Sequence, residues 1–454
     1  MTFDREQLKQ LTKDQLIDII IQHVETIQKL EARITALEKD STNSSKPPST
    51  DFHTNRTKSL RQKSGKPSGG QSGHKGVARM QVQNPDTVMT CRPDHCTNCG
   101  NNLIGSKGTI AAKRQEVDIP PLQAIVTEYQ QENVICDTCG SENKGVFPDY
   151  ITAPFQIGQN LKAMLVYLNV AHHLPFERCT QVLKDLLSVR LSEGALDNAL
   201  THAHEKATVL YSEIMEEIKK EQWVGSDETG TKINGTTVWE WVWQSVRESY
   251  YAIERGRGYA VVEKHFGEDY TGILVHDGWS AQNNTNAKAH QHCHPHYLRA
   301  LQFCVDVERS RWAYETMQFL YASERARDVI WTLGFDSARR NAIIAAYEQR
   351  LTDLITRFIV GKESRKIQKR IKKHQAKILF FMGDPDIPFD NNSSERAIRN
   401  AKLHKKISGG FRSDHGAERH VVLLSVIETC KKRKMDILAS LKLMLQGKLS
   451  FQGT

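Results

Sequence analysis

A run of strand-like segments between Trp223 and Gly278 constrains the fold of this chain more than any other feature. The segments EQWVGSDETG and TKINGTTVWEWVWQS are rich in β-branched and aromatic residues, and Asn234-Gly235 between them is typical of a two-residue hairpin turn. A third strand is predicted in ESYYAIERG, a short helix in YAVVEKHFG, and a buried strand in GILVHDGWS. The pattern therefore predicts three antiparallel strands, a helix and a further strand, in that order.

This is the opening order of a ribonuclease H-like fold, and it would bring two acidic residues together. Asp227 lies in the first predicted strand, and Asp277 ends the buried strand. Two carboxylates held side by side repel each other unless a cation compensates them. Mg²⁺ or Mn²⁺ prefers such hard oxygen ligands, and two ions roughly 4 Å apart can assist both oxygens in a phosphodiester displacement. A third carboxylate would complete the two sites.

The best source of a third carboxylate is the segment DIPFDNNSSERAIRNAKLHKKISGGFRSDHGAERH. Asn391-Asn392-Ser393 predicts a helix cap and SERAIRNAKLH a helix, with Glu395 in its first turn. Cations that we expect to contact DNA phosphates follow along this helix: Arg396, Arg399, Lys402, Lys405 and Lys406. Taken singly, each of the three acids also fits an ordinary place at a strand, a turn or a helix start. Their combination favours the metal site.

Two cysteine pairs, CTNCG at 96–100 and CDTCG at 136–140, predict a zinc ribbon over residues 81–150. Its four thiolates would surround one structural Zn²⁺: Cys96, Cys99, Cys136 and Cys139. Redox pairs or unliganded thiols are the alternatives, and Cys91 and His95 are spare ligands nearby. An odd total of nine cysteines in a large chain without an apolar signal segment favours reduced, metal-binding thiols.

The first 80 residues are predicted to lie outside any compact core. Apolar residues alternate in steps of three and four within residues 1–40, which predicts a coiled-coil oligomerisation arm, with docking on the same chain as the alternative. The seam consists of Leu16, Ile20, Ile27, Leu30, Ile34 and Leu37, with His23 as a polar interruption. Residues 41–80 are rich in Ser, Pro, Gly and cations, which predicts a basic flexible linker that either contacts phosphates or is simply solvated.

Three further segments are predicted to be helical. Residues 151–220 contain two helices with a break around Ser188–Ser192, either a DNA-binding helix-turn-helix or a helical hairpin packed on the core. Residues from about 300 to 385 would form a helical insertion whose cationic stretch GKESRKIQKRIKKHQAK either faces DNA or is solvated. Residues 431–454 would form a helical tail. Before the insertion, Cys293 and His296 form a C-x-x-H pair, either a support site for metal or a metal-free helix start.

The charge balance favours a polyanionic partner, of which nucleic acid is the commonest. Lys and Arg number 62 against 53 Asp and Glu, although a merely basic surface is the plainer explanation. No apolar run is long enough to span a bilayer, and the N-terminus lacks an apolar signal core. We therefore expect a cytoplasmic, nucleoid-associated protein without a membrane partner.

Taken together, the motifs resemble the transposases of the insertion sequence 66 family of bacterial mobile elements. The matching segments are NSSKPPS at 43–49, the two C-x-x-C pairs, SDETG at 226–230, VHDGW at 275–279, CHPHYLRAL at 293–301 and PFDNNSSERAIRNAKLHKKISGGFRSDHGAE at 388–418. The resemblance implies a DDE catalytic core of ribonuclease H-like fold over residues 221–430. Asp227, Asp277 and Glu395 would then be its catalytic and magnesium-binding acids.

The predicted protein is thus a multidomain α+β DNA transposase: a coiled coil, a linker, a zinc ribbon and a helical domain precede the catalytic core. It would bind the element's terminal repeats and target DNA, cut strands with two Mg²⁺ or Mn²⁺ ions, and join the freed 3′-hydroxyl to the target. A homo-oligomer is expected through the N-terminal arm, and the resemblance suggests accessory proteins from the same element. The alternatives are a non-catalytic DNA-binding copy and a nuclease without strand transfer.

Overall fold

The computed structural model describes residues 12–37, 81–120 and 122–452. The predicted linker at 41–80 lies outside the described residues, as do both ends of the predicted coiled-coil arm. Helix α1, Lys13–Leu37, lies where the heptad pattern predicts it. Its seam is open to solvent: Ile20, Ile27 and Leu37 are 61%, 53% and 64% exposed.

Residues 81–150 are mostly extended chain with one small antiparallel hairpin. Strand β1, Asn133–Ile135, pairs with strand β2, Glu142–Lys144. The side chains of both strands are exposed, so this segment has little hydrophobic core of its own. A segment of this kind needs another source of stability, and a bound metal ion is one.

Three helices precede the main sheet: α2 (Gln159–Val166, continued by a π-helical turn Tyr167–Ala171), α3 (Phe176–Leu187) and α4 (Glu193–Lys220). The predicted cap is confirmed, because the Ser192 hydroxyl accepts a hydrogen bond from the Ala195 N–H at 3.1 Å. Helix α4 buries an apolar stripe in the same hydrophobic core as the sheet. The α3–α4 hairpin is therefore packed on the core, and DNA contact by it stays a prediction.

The central sheet has five strands in the order β5-β4-β3-β6-β7. The strands are β3 (Trp223–Ile233), β4 (Thr236–Gln244), β5 (Ser249–Glu254), β6 (Asp269–His276) and β7 (Asn286–His292). Along the chain, helix α5 (Tyr259–His265) precedes β6 and helix α6 (Ser280–Asn283) follows it. Strands β3 to β5 are antiparallel, whereas β6 and β7 run parallel to β3. Asn234 and Gly235 both have positive φ (46° and 79°), and β3 pairs with β4 on either side of them, which confirms the predicted hairpin. The sequence of three antiparallel strands, a helix and a further strand is also as predicted.

A second hydrophobic core lies in the helices between β7 and residue 390. These are α7 (His294–Glu308), α8 (Arg311–Thr332), α9 (Ser337–Thr356) and α10 (Lys362–Lys373), followed by the 3-10 turns Gln375–Lys377 and Phe380–Gly383. The Glu308 carboxylate accepts hydrogen bonds from the backbone N–H groups of Glu363 and Ser364 at 2.7 and 3.0 Å. It thereby caps the start of α10 with a negative charge.

The remaining helices return to the sheet: α11 (Asn392–Ala397), α12 (Arg399–Ser408), α13 (Asp414–Lys432) and α14 (Ile437–Leu445). Helix α13 covers the free edge of β5, where the hydroxyls of Ser425 and Thr429 accept the N–H groups of Tyr251 and Ser249. An edge strand covered in this way cannot pair with another chain. Within the described residues, no helix has both the length and the apolarity needed to cross a membrane.

Candidate active site

Two of the predicted acids lie level with each other on adjacent parallel strands. Strand β3 pairs with β6 at a constant offset of 50 residues, from Trp223 with Ile273 to Gly225 with Val275. Continued for two residues beyond the last of these pairs, the same offset leads from Asp227, in β3, to Asp277, which directly follows β6. Adjacent strands lie about 4.8 Å apart, so the two residues are neighbours across the sheet.

Each of these acids is oriented by a local backbone N–H group. Asp227 Oδ1 accepts from the Glu228 N–H at 2.9 Å, and Asp277 Oδ1 accepts from the Trp279 N–H at 2.8 Å. Burial raises the pKa of Asp227 well above its ordinary value, and the negative charges of Glu228, Asp277 and Glu395 raise it further. The predicted trio thus forms one electrostatic cluster.

Glu395 reaches this cluster because α11 lies directly against β3. The Asn391 side-chain amide donates to the Ser226 carbonyl at 2.7 Å, and the Gln244 amide donates to the Ser394 hydroxyl at 3.0 Å. Gly225 permits the approach, since a β-carbon there would collide with the Ser394 Oγ. The predicted capping role of Asn391 is wrong, because its side chain makes this long-range bond and none to the helix N–H groups.

The C-x-x-H pair lies beside Glu395. His296 Nδ1 is 3.7 Å from Glu395 Oε1, and the Arg299 guanidinium is 3.5 Å from the same oxygen. Cys293 is fully buried, and its sulfur accepts the Asn391 N–H at 3.2 Å. Within the described residues, Cys293, His296 and Glu395 bring one potential ligand atom each to within 4.8 Å of the others. In the structure the Cys293–His296 pair therefore lies beside Glu395, the third acid. In the sequence the pair follows Asp277, the second acid, and no local pattern links it to Glu395.

Glu228 is an acid near the trio that the sequence did not single out. Its carboxylate accepts from Arg257 Nη2 at 2.6 Å and from the Gln282 amide at 2.7 Å. It is adjacent to Asp227, so on a strand the two side chains point to opposite faces. In the sequence, only its position inside SDETG pointed to Glu228, because its partner Arg257 lies 29 residues further along the chain and no local pattern links the two.

Helix α10, which is rich in cations, contacts the loop that contains Asp277. Arg370 Nη2 donates to the backbone carbonyl of Asp277 at 2.8 Å, and the Arg370 guanidinium lies 4.7 Å from the centre of the Tyr297 ring. Lys377, beyond the end of α10, donates to Asn283 Oδ1 at 3.0 Å. Positive side chains of the insertion therefore support the loop that presents Asp277.

The predicted phosphate-contacting cations fall into two groups. Four are exposed, and no ion pair is seen for them within the described part of the chain: Arg396, Arg399, Lys402 and Lys406. Lys405 is half-buried and donates to the Gly230 carbonyl at 3.3 Å, so it helps to attach α12 to β3. Helix α12 contains no acidic residue, so the charges on its exposed surface are all positive, and they lie beside the exposed apolar side chains of Leu403 and Ile407.

The two cysteine pairs form the same turn. The Gly100 N–H donates to the Cys96 carbonyl, and the Gly140 N–H donates to the Cys136 carbonyl, at 2.9 and 2.8 Å. Backbone N–H groups, first that of the second cysteine of each pair, lower the pKa of Cys96 and Cys136. This is the environment of a thiolate ligand. Across residues 81–120 and 122–150, the two turns do not bring three thiols within metal-ligand distance of one another.

The family is decided by comparison with known proteins. A family profile described as transposase IS66 family matches residues 155–419, which is more than half of the chain. The chain belongs to the IS66 family of transposases. Residues 93–140 match the zinc-finger binding domain of transposase IS66, and residues 5–80 match a family of unknown function, DUF6444.

Relatives of this IS66 transposase are found in Sinorhizobium fredii. The uncharacterized protein y4qI is 24% identical over 412 residues, which cover 80% of this chain and 72% of that protein. The uncharacterized protein y4hP is 22% identical over 390 residues, covering 77% and 70%. A third, y4jO, is 28% identical over 114 residues, covering 24% of this chain and 36% of that protein.

Membership of the IS66 family indicates a role in transposition, with DNA as the partner. The zinc-finger match contains all four predicted cysteine ligands and supports a structural Zn²⁺. The architecture is a mixed α+β arrangement with a separate zinc-finger segment, as the sequence predicts.

Proposed function

We propose that this IS66 transposase cuts DNA at the ends of its element and joins the freed 3′-hydroxyl to target DNA. Asp227, Asp277 and Glu395 are the catalytic acids of this proposal. The observation that supports it most is the alignment of Asp227 with Asp277 across β3 and β6, together with the pKa of Asp227, which burial raises and which the charges of Asp277 and Glu395 help to raise. Three acids from distant parts of the sequence are costly to hold together unless cations offset their charge.

The sheet supports a ribonuclease H-like core for residues 221–430. Three antiparallel strands are followed by two strands parallel to the first, and the first strand lies in the middle of the sheet. The helices between about residues 300 and 385 form the proposed insertion, and their apolar side chains share a second hydrophobic core that also contains Ile273 of β6. In this proposal residues 81–150 form the zinc ribbon, residues 431–454 the tail, and residues 151–220 a helical domain whose α2 and α4 pack into the hydrophobic core of the sheet.

The donor set fits the proposed cofactor. Three carboxylates, one of which has its pKa raised by burial and by neighbouring negative charges, suit two Mg²⁺ or Mn²⁺ ions better than a softer metal. When bound, such ions polarise the attacking and leaving oxygens of a phosphodiester. The chain itself supplies orientation: the Glu228 and Trp279 N–H groups fix Asp227 and Asp277.

Two further groups of residues position the acids in this proposal. Arg370 holds the backbone of Asp277 from the insertion side, and Arg299 and His296 hold the carboxylate of Glu395. The Cys293–His296 pair then acts as a support site for Glu395. Because these contacts do not involve substrate, we describe the residues as positioning groups.

DNA binding in this proposal is divided among several surfaces. The exposed cations of α12 directly follow Glu395, so phosphates held there lie next to the acids. The element's terminal repeats and the target duplex are the proposed ligands. Helix α1, whose exposed apolar seam needs a partner, would join two or more copies into one complex on the DNA. Accessory proteins of the same element could complete that complex.

A strand-transfer assay with purified protein, element-end DNA and Mg²⁺ tests the proposal. We expect Asp227→Asn, Asp277→Asn and Glu395→Gln each to lower product formation by roughly 10³-fold or more, as loss of an essential group does. Asp269→Asn is the matched control, because Asp269 is at the start of β6 and Asp277 directly follows the end of that strand. It should retain full activity.

The outcomes distinguish the alternatives. Products that persist in the three variants would contradict the assignment of the acids. Cleavage without joining would favour a nuclease. No product from the unsubstituted chain, with accessory proteins supplied, would favour a non-catalytic DNA-binding copy.

A further inference from the structure

The four acids Asp227, Glu228, Asp277 and Glu395 form what we call the carboxyl cluster. Two tryptophans and an arginine form a stack beside it. The Arg257 guanidinium lies 4.5 Å from the centre of the Trp239 ring and 3.9 Å from the centre of the Trp279 ring. Its other contact is the buried carboxylate of Glu228, whose nearer oxygen is 2.6 Å away. Arg257 is thus fixed by an ion pair and enclosed between two aromatic faces. Cation–π contacts of this kind favour Arg over Lys.

Trp279 is held rigidly, yet it is not buried. Its backbone N–H donates to Asp277 Oδ1 at 2.8 Å, and its indole N–H donates to the Arg257 carbonyl at 3.2 Å. The guanidinium covers one face of the ring, and the residue is still 36% exposed. An aromatic side chain with a fixed orientation and a free surface is a suitable stacking platform, because no ordering entropy remains to be lost on binding.

The surroundings match a nucleic acid strand. Trp279 lies two residues after Asp277, and Arg370 contacts the same loop from α10. Helix α10 exposes further cations that can attract phosphates: Lys362, Arg365, Lys366, Lys369, Lys372 and Lys373. A strand that crosses the carboxyl cluster would therefore find positive charge and an aromatic surface together. This combination is typical of single-strand binding sites.

We propose that Trp279 stacks on an unpaired nucleobase of the DNA strand held at the carboxyl cluster. A base inside a duplex has both faces covered by its neighbours, so only a terminal, overhanging or extruded base can offer a face to the indole. The inference rests on the proposed function, because it takes the strand at Asp277 to be DNA. It adds that the enzyme recognises an unpaired base next to the reacting phosphate.

Binding measurements without added divalent metal test the inference separately from catalysis. The probes are a fluorescein-labelled mixed-sequence duplex with a 3′ tail of thymidines, the same duplex with an abasic tail, and the blunt duplex. We expect the chain to bind the thymidine tail about 5- to 100-fold more tightly than the abasic tail, the range of one base–aromatic stack. The abasic probe keeps every phosphate, so the difference reports the bases alone.

Substitutions test whether Trp279 is the side chain that causes the preference for the thymidine tail over the abasic tail. Trp279→Ala should bind the two tailed probes equally, whereas Trp279→Phe should keep most of the preference because it retains a ring. Tyr314→Ala is the matched control: Tyr314 is an aromatic residue of α8 that is 54% exposed. It should bind as the unsubstituted chain does.

Each of four results would bear differently on the two proposals. Equal binding of the two tails by the unsubstituted chain would overturn the stacking inference. A preference that survives in Trp279→Ala would also overturn it, because another side chain would then supply the stack. Failure to bind any of the three DNAs at low salt would instead contradict the proposed function. Tight binding of the blunt duplex with no tail preference would leave the proposed function intact.

Discussion

At the scale of single residues, the carboxyl cluster is a source of instability that a cation would relieve. Asp227 is surrounded by Glu228, Asp277 and Glu395, and all of them raise its pKa. Glu228 is paired with Arg257, whereas the hydrogen bonds seen to the carboxylates of Asp227 and Asp277 among the described residues come from backbone N–H groups. Charged groups held together at a cost to stability are typical of functional sites.

The raised pKa of Asp227 leads to a prediction about stability. Above its ordinary pKa near 3.8, the folded chain binds a proton that the unfolded chain has released, so stability falls as pH rises through that window. Without added divalent metal at neutral pH, we expect Asp227→Asn to raise the midpoint of thermal unfolding by roughly 2–4 °C, since it removes a repelling charge. Mg²⁺ should stabilise the unsubstituted chain more than the variant.

Thermal unfolding followed by circular dichroism, with and without Mg²⁺, measures both effects. Asp269→Asn serves again as the control, because Asp269 is exposed and at the far end of β6. It should shift neither midpoint nor the response to Mg²⁺. A lower midpoint for Asp227→Asn, or equal stabilisation of both chains by Mg²⁺, would argue against a metal-binding cluster.

Site residues at predicted strands could be inferred from the sequence, whereas contacts between distant segments of the chain could not. Asp227 and Asp277 follow from the order of the strands, which sequence patterns predict. Glu395 needed the family resemblance, because nothing local shows that α11 packs on β3. Its partner Arg299 lies 96 residues away in sequence. Contacts at such separation depend on the whole chain path, and no local pattern encodes them.

At the scale of elements, α12 should bind DNA through charge. Each phosphate that a cation neutralises releases counterions, so binding weakens with salt at a slope of about −0.9 per contact on a log–log plot. We expect Arg399→Gln combined with Lys402→Gln to make that slope shallower by about 1 to 2. Anisotropy titrations of a duplex over a range of salt concentrations measure it.

The control for this pair removes the same charge elsewhere. Lys219 and Lys220, at the end of α4, are exposed and far along the chain from α12. Replacing both with Gln should leave the slope nearly unchanged. If both pairs of substitutions changed the slope equally, net charge rather than the α12 surface would explain the binding.

Elements were predicted well where local chemistry determines them. The hairpin at Asn234-Gly235 and the cap at Ser192 follow from turn and capping preferences. The helix predicted in SERAIRNAKLH is instead divided into α11 and α12 around Ile398, which is 2% exposed. Helix propensity does not report such a break, since it depends on which side chain enters the core.

At the scale of the whole molecule, the described residues of the N-terminal helix and of the zinc-finger segment contribute nothing to the hydrophobic cores. The exposed seam of α1 predicts self-association, so Ile20→Asp combined with Ile27→Asp should reduce the oligomer to a smaller species. Size-exclusion chromatography with light scattering measures the mass. Lys29→Asp, at a polar position of the same helix, is the control and should leave the mass unchanged. An unchanged mass for the apolar double variant would contradict the coiled-coil arm.

Domain boundaries were the least predictable property of the whole molecule. The segment 151–220 was expected as a domain of its own, yet α2 and α4 share one hydrophobic core with the sheet and with α13 and α14. A sequence pattern shows that a helix has an apolar face but not which surface covers it. The cysteine pairs show the same limit, because each turn is encoded locally and the approach of one turn to the other is not.

The central claim is that Asp227, Asp277 and Glu395 together bind divalent metal, and Mn²⁺ titration followed by electron paramagnetic resonance tests it most directly. With element-end DNA present, we predict two bound ions per chain for the unsubstituted protein and for Asp269→Asn. We predict at most one for Asp227→Asn, Asp277→Asn or Glu395→Gln. Equal Mn²⁺ binding by all five proteins would contradict the claim.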